Sequence, residues 1–311
     1  MNLGKDLAYV ALVTSDVAMA ATVFGEHLGL SRTDCESGAG DEVPVFSIGQ
    51  SALALFPVGH PLVGGQDKPG VHHVALAVAD PDAAAEVAAK AGIPVLQRGT
   101  ATGLQGRRHR MLDPHATCGL RTWLSQPLSI KRTNPDAVER LDHIGVASVD
   151  NAEAIEQFCN RLGCQLESQQ TDVEVQIAVE SFTSDKYGVV YHNRQPELVG
   201  GVRVAFITAG DCELEFLASL NADPGTTIDH GAPGNTRQDR NAIARFVASR
   251  GPGLHHVALK TADIDDVLAR LAKAGVRVID KVGRPGSRRA RIGFVHPASV
   301  GGFLFHFVQR T

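Results

Sequence analysis

Two segments of this chain recur at two different spacings, and that double repetition restricts the fold more than any other feature. Leu7-Ala8-Tyr9-Val10-Ala11-Leu12 aligns with Leu141-Asp142-His143-Ile144-Gly145-Val146, an offset of 134 residues from Tyr9 to His143. The same offset carries Phe24-Gly25-Glu26-His27-Leu28-Gly29 onto Phe158-Cys159-Asn160-Arg161-Leu162-Gly163. Val71-His72-His73-Val74-Ala75-Leu76 aligns with Leu254-His255-His256-Val257-Ala258-Leu259, 183 residues on from His73 to His256. That register continues without a gap through Lys90–Val95 on Lys273–Val278 and Leu112-Asp113-Pro114 on Val295-His296-Pro297. It ends with Trp123 on His306.

Each repeat reads as a strand, a helix and then two or three strands. After Val257-Ala258-Leu259, a short apolar run of strand type, comes Ile264–Ala274, with apolar residues at helical spacing. Acids in its first turn, Lys273 near its end and Gly275 as the stop complete the helical signature. The chain is therefore four β-α-β-β-β modules of an α+β fold, paired into two tandem open barrel-like mixed sheets with helices outside. A linker near Gln126–Asn134, edged by Pro127 and Pro135, separates a domain at 1–127 from one at 137–311. The 311 residues are enough for both cores. Asn221–Asn241, rich in Gly, Pro, Asp and Asn, reads as a loop between the third and fourth modules.

Composition excludes several classes. Hydrophobic residues at 43% and charged residues at 21% describe a globular chain, and a net charge of −4 without like-charge blocks argues against nucleic acid. No apolar run approaches the ~20 residues that span a bilayer, and Met1–Asp6 lacks the start of a signal peptide. Five scattered cysteines point to reduced thiols. A cytoplasmic location without a membrane partner is expected, as monomer or homodimer.

A histidine doublet alone is more often core than ligand. Neighbours on a strand face opposite ways, so His255 and His72 are expected on the far side from His256 and His73. The repeat then assembles a constellation. His143 and His256 open equivalent first strands. Glu215, between Leu214 and Phe216, and His306, between Phe305 and Phe307, sit mid-strand on last strands, where an unpaired carboxylate is costly to bury. Four ligand-type residues at module-equivalent places point to one metal site. The first half holds Tyr9, Ala54, His73 and Trp123 at those places, so it reads as a scaffold without metal.

The second half resembles the vicinal oxygen chelate superfamily, and within it most closely the methylmalonyl-CoA epimerase branch. The resemblance rests on Leu141–Gly145, Gly210-Asp211-Cys212-Glu213-Leu214-Glu215-Phe216-Leu217, Gly253–His256 and Phe294–Leu304. It implies that His143, Glu215 and His256 bind a divalent metal. The family's fourth ligand is usually a Glu that also lies at the reacting centre; His306 stands there instead. Imidazole-rich ligation favours Zn, Co, Ni, Mn or Fe over Mg or Ca. The open positions would chelate two oxygens of a small-molecule substrate, and the extra positive charge would favour an anionic enolate or catecholate.

Three functions follow as expectations. An epimerase or isomerase would act through an enolate, with His306 or Glu215 as the base if either leaves the metal. An Fe(II) dioxygenase would act on a catechol or 2-oxoacid. The tandem layout and the stretch Phe305–Arg310, which resembles the end of hydroxyphenylpyruvate dioxygenase, favour it. A non-catalytic small-molecule binding protein is the third. The arginine-rich turn Arg284–Arg291 could meet a CoA phosphate or simply be solvated surface. Tyr187 and Tyr191 could donate to substrate, Asp185 and Lys186 read as turn residues, and His192, His230 and His296 fall in or near loops.

Overall fold

The computed structural model describes residues 3–96, 101–132, 137–176, 179–193, 197–220 and 242–310. Its first half runs β1 (Leu7–Thr14), α1 (Val17–Thr22), β2 (Arg32–Glu36), β3 (Glu42–Ile48), β4 (Ser51–Pro57), β5 (Gly70–Ala77), α2 (Pro81–Lys90), β6 (Ala101–Thr102), β7 (Arg108–Met111) and β8 (Thr122–Ser125). The second half runs β9 (Arg140–Ser148), α3 (Asn151–Ile155), β10 (Leu166–Gln176), β11 (Val179–Ser184), β12 (Gly188–Asn193), β13 (Glu197–Ala209) and β14 (Cys212–Ser219). It continues with α4 (Ala242–Arg250), β15 (Gly253–Lys260), α5 (Ile264–Lys273), β16 (Arg284–Pro285), β17 (Arg291–Val295) and β18 (Phe305–Gln309).

The strands form two eight-stranded mixed sheets of the same topology. Their orders are β2-β3-β4-β1-β5-β8-β7-β6 and β10-β13-β14-β9-β15-β18-β17-β16. In each, two modules meet where their first strands pair antiparallel, β1 with β5 and β9 with β15. Each first strand also pairs in parallel with the last strand of its own module.

The helices form where the sequence signals them. Asp16 and Asp150 cap α1 and α3, accepting from the backbone N–H of Met19 and Ala152. Both helices widen into a π-turn, over Val23–His27 and Glu156–Arg161, and stop at Gly29 and Gly163, whose positive φ suits glycine. On α5, Asp263 caps the start while Ile264, Val267, Leu268 and Leu271 face the core.

Strand alternation sends the two faces of each sheet to different fates. Val10, Leu12, Ile144 and Val146 join the helices in one core that runs through both halves. Phe24 stacks on Phe303 across them, and the Thr14 hydroxyl donates to the Val300 carbonyl at 2.8 Å. The other, concave face differs between halves. In the first it is one apolar cluster containing Tyr9, Ala11, Ala54, Phe56 and Trp123. In the second the apolar residues split into two small groups, Val204-Phe206-Leu217 and Ala258-Ala290-Ile292-Val308. Between them lie His143, Glu215, His256 and His306, all buried.

Two elements have no counterpart in the repeat. The β11–β12 hairpin makes a sheet of its own, with Asp185 and Lys186 in its turn. Tyr187 and Tyr191 there are 67% and 70% exposed, so neither faces the concave site. Helix α4 follows directly on the Asn221–Asn241 stretch; that expected loop, and His230 in it, lie outside the described residues.

Candidate metal centre

Sheet register bears out the equivalences read from the repeat. Glu215 pairs with Gly145 as Ala54 pairs with Ala11, and His306 pairs with Ala258 as Trp123 pairs with Ala75. The structure therefore brings all four expected residues to one place. Ring nitrogens of His143, His256 and His306 lie within 4.8 Å of one another. His143 Nε2 is 3.3 Å from His256 Nε2, and Glu215 Oε2 stands 3.3 Å from the first and 3.6 Å from the second.

What aims these nitrogens is a pair of β-bulges that the sequence reading missed. Where β9 meets β15, Leu254 and His256 face the consecutive residues Val146 and Gly145, so His255 is an extra residue. Likewise Ala258 and Leu259 face His143 and Leu141, so Asp142 is extra on β9. A bulge breaks strict alternation, which corrects the expectation that His255 turns away: its Nδ1 lies 2.9 Å from His256 Nδ1. His72 behaves alike, 2.7 Å from His73. Asp142 accepts from His143 Nδ1 at 2.7 Å and is itself held by Arg310 Nε at 2.8 Å. A carboxylate can only accept, so His143 carries a proton on Nδ1, which leaves Nε2, aimed at the centre, as the nitrogen able to ligate.

Gly145 makes the second adjustment. A Cβ there would come within 2.1 Å of the His256 ring, so the imidazole lies flat over bare backbone. The glycine needs no unusual φ; it is required by close approach.

The electrostatics follow from burial and crowding. Burial pushes the Glu215 carboxyl up, yet His143 and His256 outweigh it and the net direction is down. Burial also disfavours charged His143, but Glu215 and Asp142 together hold its pKa above the ordinary value. For His256 and His306 burial wins and the pKa falls. The centre is thus a buried carboxylate with three imidazoles at close range, and its charge holds His143 toward the protonated form. His306 adds a buried Nδ1 with no hydrogen-bond partner among the described residues. Acceptors crowded this way, three imidazoles and a carboxylate, suit a divalent cation.

The first half shows the same frame without that crowding. Tyr9 Oη closes on His73 Nε2 at 3.2 Å. Trp123 fills the remaining space, stacked between His73 at 3.6 Å and His109 at 4.1 Å. His73 is a packed, hydrogen-bonded histidine.

The centre opens into a cavity of about 600 Å³ whose walls include Phe206, Leu217, Ile243, Ile292 and Phe294. Asp172 of β10 faces the same cavity; its carboxylate accepts from Gln170 Nε2 at 2.5 Å and from Ser287 Oγ at 3.4 Å. Sequence reasoning passed it over because Gln169-Gln170-Thr171-Asp172 looks like solvated strand and has no partner in the repeat. Three of the four arginines in the arginine-rich turn are paired with acids. Arg284 pairs with Asp280 and Arg291 with Asp265. Arg288 pairs with Glu167 and Glu213 and lies over the Phe206 ring. His296 caps a turn, accepting from Ala298 N–H.

A family described as the Glyoxalase/Bleomycin resistance protein/Dioxygenase superfamily matches residues 142–294, and a second model of that description matches 6–116. Among curated relatives, the uncharacterized protein YqjC of Bacillus subtilis is 26% identical over 172 residues, 55% of this chain and 93% of that protein. An ethylmalonyl-CoA/methylmalonyl-CoA epimerase of Cereibacter sphaeroides is 26% identical over 175 residues, 55% of this chain and 98% of that enzyme. Two solved structures share the fold along nearly the whole chain. A variant of 4-hydroxymandelate synthase from Streptomyces coelicolor has TM-score 0.59 at 16% identity, covering 99% of this chain and 93% of its own. The Mn(II)-bound glyoxalase from Novosphingobium aromaticivorans has TM-score 0.56 at 14% identity, covering 98% and 82%.

Proposed function

Both halves of this chain belong to the Glyoxalase/Bleomycin resistance protein/Dioxygenase superfamily, and on that premise we propose a metal-dependent enzyme that moves a proton beside a chelated carbonyl, an epimerase or isomerase. The domain at 1–127 is the scaffold and the domain at 137–311 the catalytic unit. His143, Glu215, His256 and His306 would hold one divalent ion, of Zn, Co, Ni, Mn or Fe type. When bound, that ion supplies Lewis acidity to two substrate oxygens.

The observation that carries the reading is Asp172, a carboxylate that faces the cavity without belonging to the cluster. Proton abstraction needs such a base. Glu215 and His306, the pair expected to serve, are taken up as ligands, and the role passes to Asp172. Gln170 and Ser287 hold its carboxylate, and the apolar walls accept the substrate's hydrocarbon part and exclude water.

A second reading has its own support. His143, His256 and Glu215 alone form a two-histidine, one-carboxylate set, the arrangement of non-haem Fe(II) oxygenases, if His306 stays off the metal. Elemental analysis of untagged protein, with solvent deuterium exchange and oxygen uptake, separates the two. Exchange into an acyl thioester or 2-oxoacid with Zn, Co, Ni or Mn bound supports the first. Iron with oxygen uptake on a catechol or 2-oxoacid overturns it, and a metal-loaded protein doing neither is a binding protein.

Two further expectations arise from the supporting residues. Gly145→Ala should push the His256 ring aside and weaken metal binding although no ligand is removed. In a double-mutant cycle with His256→Ala, the second substitution should then add little, because both act through one ring. Additive losses measured by metal titration would mean that Gly145 does something else. Asp142→Asn should weaken metal binding roughly ten- to hundredfold, the usual effect of losing the carboxylate behind a ligating histidine. Burial pushes Asp142 up, but His143 and Arg310 outweigh it and its pKa is lowered. The stability it contributes is therefore present above the ordinary aspartate value of about 3.9 and lost as pH falls below it. Acid unfolding of metal-free protein should accordingly be less steep in the Asn variant.

A further inference from the structure

The three imidazoles of the centre differ in what stands behind them. His143 Nδ1 bonds the Asp142 carboxylate at 2.7 Å, and His306 Nδ1 has no hydrogen-bond partner among the described residues. Behind His256 stands another imidazole, with His255 Nδ1 2.9 Å from His256 Nδ1. Two ring nitrogens that close hold one proton between them, because neither two lone pairs nor two N–H groups can face each other there. His256 turns Nε2 toward His143 and Glu215, so Nε2 is its nitrogen able to ligate and its proton belongs on Nδ1. His255 Nδ1 is then the acceptor, and the His255 proton sits on Nε2.

The doublet by itself does not set the second half apart. His72 and His73 make the same contact at 2.7 Å, where Tyr9 and Trp123 take the places of His143 and His306. What is particular to the second half is α4. Its Ile243 packs on the Val204-Phe206-Leu217 group beside the centre. Phe246, three residues on and therefore on the same face of the helix, meets the His255 ring edge to face, with centroids 4.9 Å apart. Among the described residues the ring that meets His72 is that of His73 alone. A helix without counterpart in the repeat thus reaches, through one imidazole, the back of a candidate ligand.

We propose that α4 is an outer support of the metal centre: Phe246 fixes the His255 ring, and His255, a positioning residue, fixes the tautomer and aim of His256. This role rests on the metal reading above. His255→Phe and His255→Asn separate it from packing. Phenylalanine keeps a ring against Phe246 and removes the acceptor, whereas asparagine sets an amide oxygen at the same remove from Cβ as Nδ1. Zinc affinity, measured by competition with a chelator, should fall roughly ten- to hundredfold in the Phe variant and stay close to the parent value in the Asn variant. Phe246→Leu should show part of that loss and add little on top of His255→Phe, because both act through one ring. Ring ¹⁵N spectra of zinc-loaded protein should show His255 protonated at Nε2 and bare at Nδ1, a signature that a packing role would not set. A Phe variant that binds zinc like the parent, or a His255 that carries its proton on Nδ1, overturns the assignment and leaves the metal site standing. Unaltered zinc affinity in His256→Ala overturns the metal reading and this role with it.

Discussion

Replacing His256 or His143 with alanine is expected to lower divalent-metal affinity by more than about a hundredfold, beyond the range typical of losing a supporting residue. The geometry sets this size. His143 and His256 present Nε2 atoms 3.3 Å apart, with Glu215 within 3.6 Å of both, so either loss opens the side of the site where three donors converge. The fold should survive. Ile144 and Val257, which anchor β9 and β15 in the shared core, are untouched. Metal content after dialysis, measured beside a metal-free unfolding transition, checks both halves of the statement. His73→Ala supplies the contrast. Its ring stacks on Trp123 and bonds Tyr9, so its loss should cost about 2–4 kcal/mol of stability and no metal. A His73 variant that loses the ion, or His143 and His256 variants that keep it, would overturn the site assignment.

That contrast between two near-copies was legible in the sequence because a repeat carries long-range register. An isolated strand does not say which residue lies opposite it, but two offsets tied Tyr9 to His143 and Trp123 to His306, module order matched Ala54 to Glu215, and the two sheets seat these residues at equivalent positions. What the repeat could not convey was the bulges. Alternation is a local rule, and it placed His255 on the wrong side because the extra residue exists only in the pairing of β9 with β15. Asp142 was hidden for the same reason, one place before a histidine that drew attention to itself. Gly145 left a weaker trace, a glycine inside an apolar strand where the first half has Ala11. The β11–β12 hairpin and α4 have no counterpart in the other modules, so no offset could reveal them.

Asp172→Asn is the substitution that decides between chemistries. It should lower the rate of proton exchange by about 10²–10⁴, the usual contribution of a general base, while metal content stays unchanged. Asparagine keeps the size of the side chain and can still accept from Gln170 or Ser287, so the cavity wall should stay in place. The loss should fall on kcat more than on KM, because the carboxylate takes the proton in the transition state and the substrate is anchored elsewhere. An oxygenase would respond differently: with no carbon-bound proton to abstract, removing this negative charge would alter KM more than turnover with oxygen, and no solvent deuterium would enter a C–H position. Deuterium exchange from solvent, followed by mass spectrometry in the Asn and Glu variants, reads the distinction directly. Partial recovery in Asp172→Glu, which restores a carboxylate one methylene further out, would mark the group as a base. Equal exchange in all three proteins would remove Asp172 from the reaction and, with it, the observation on which the epimerase reading stands.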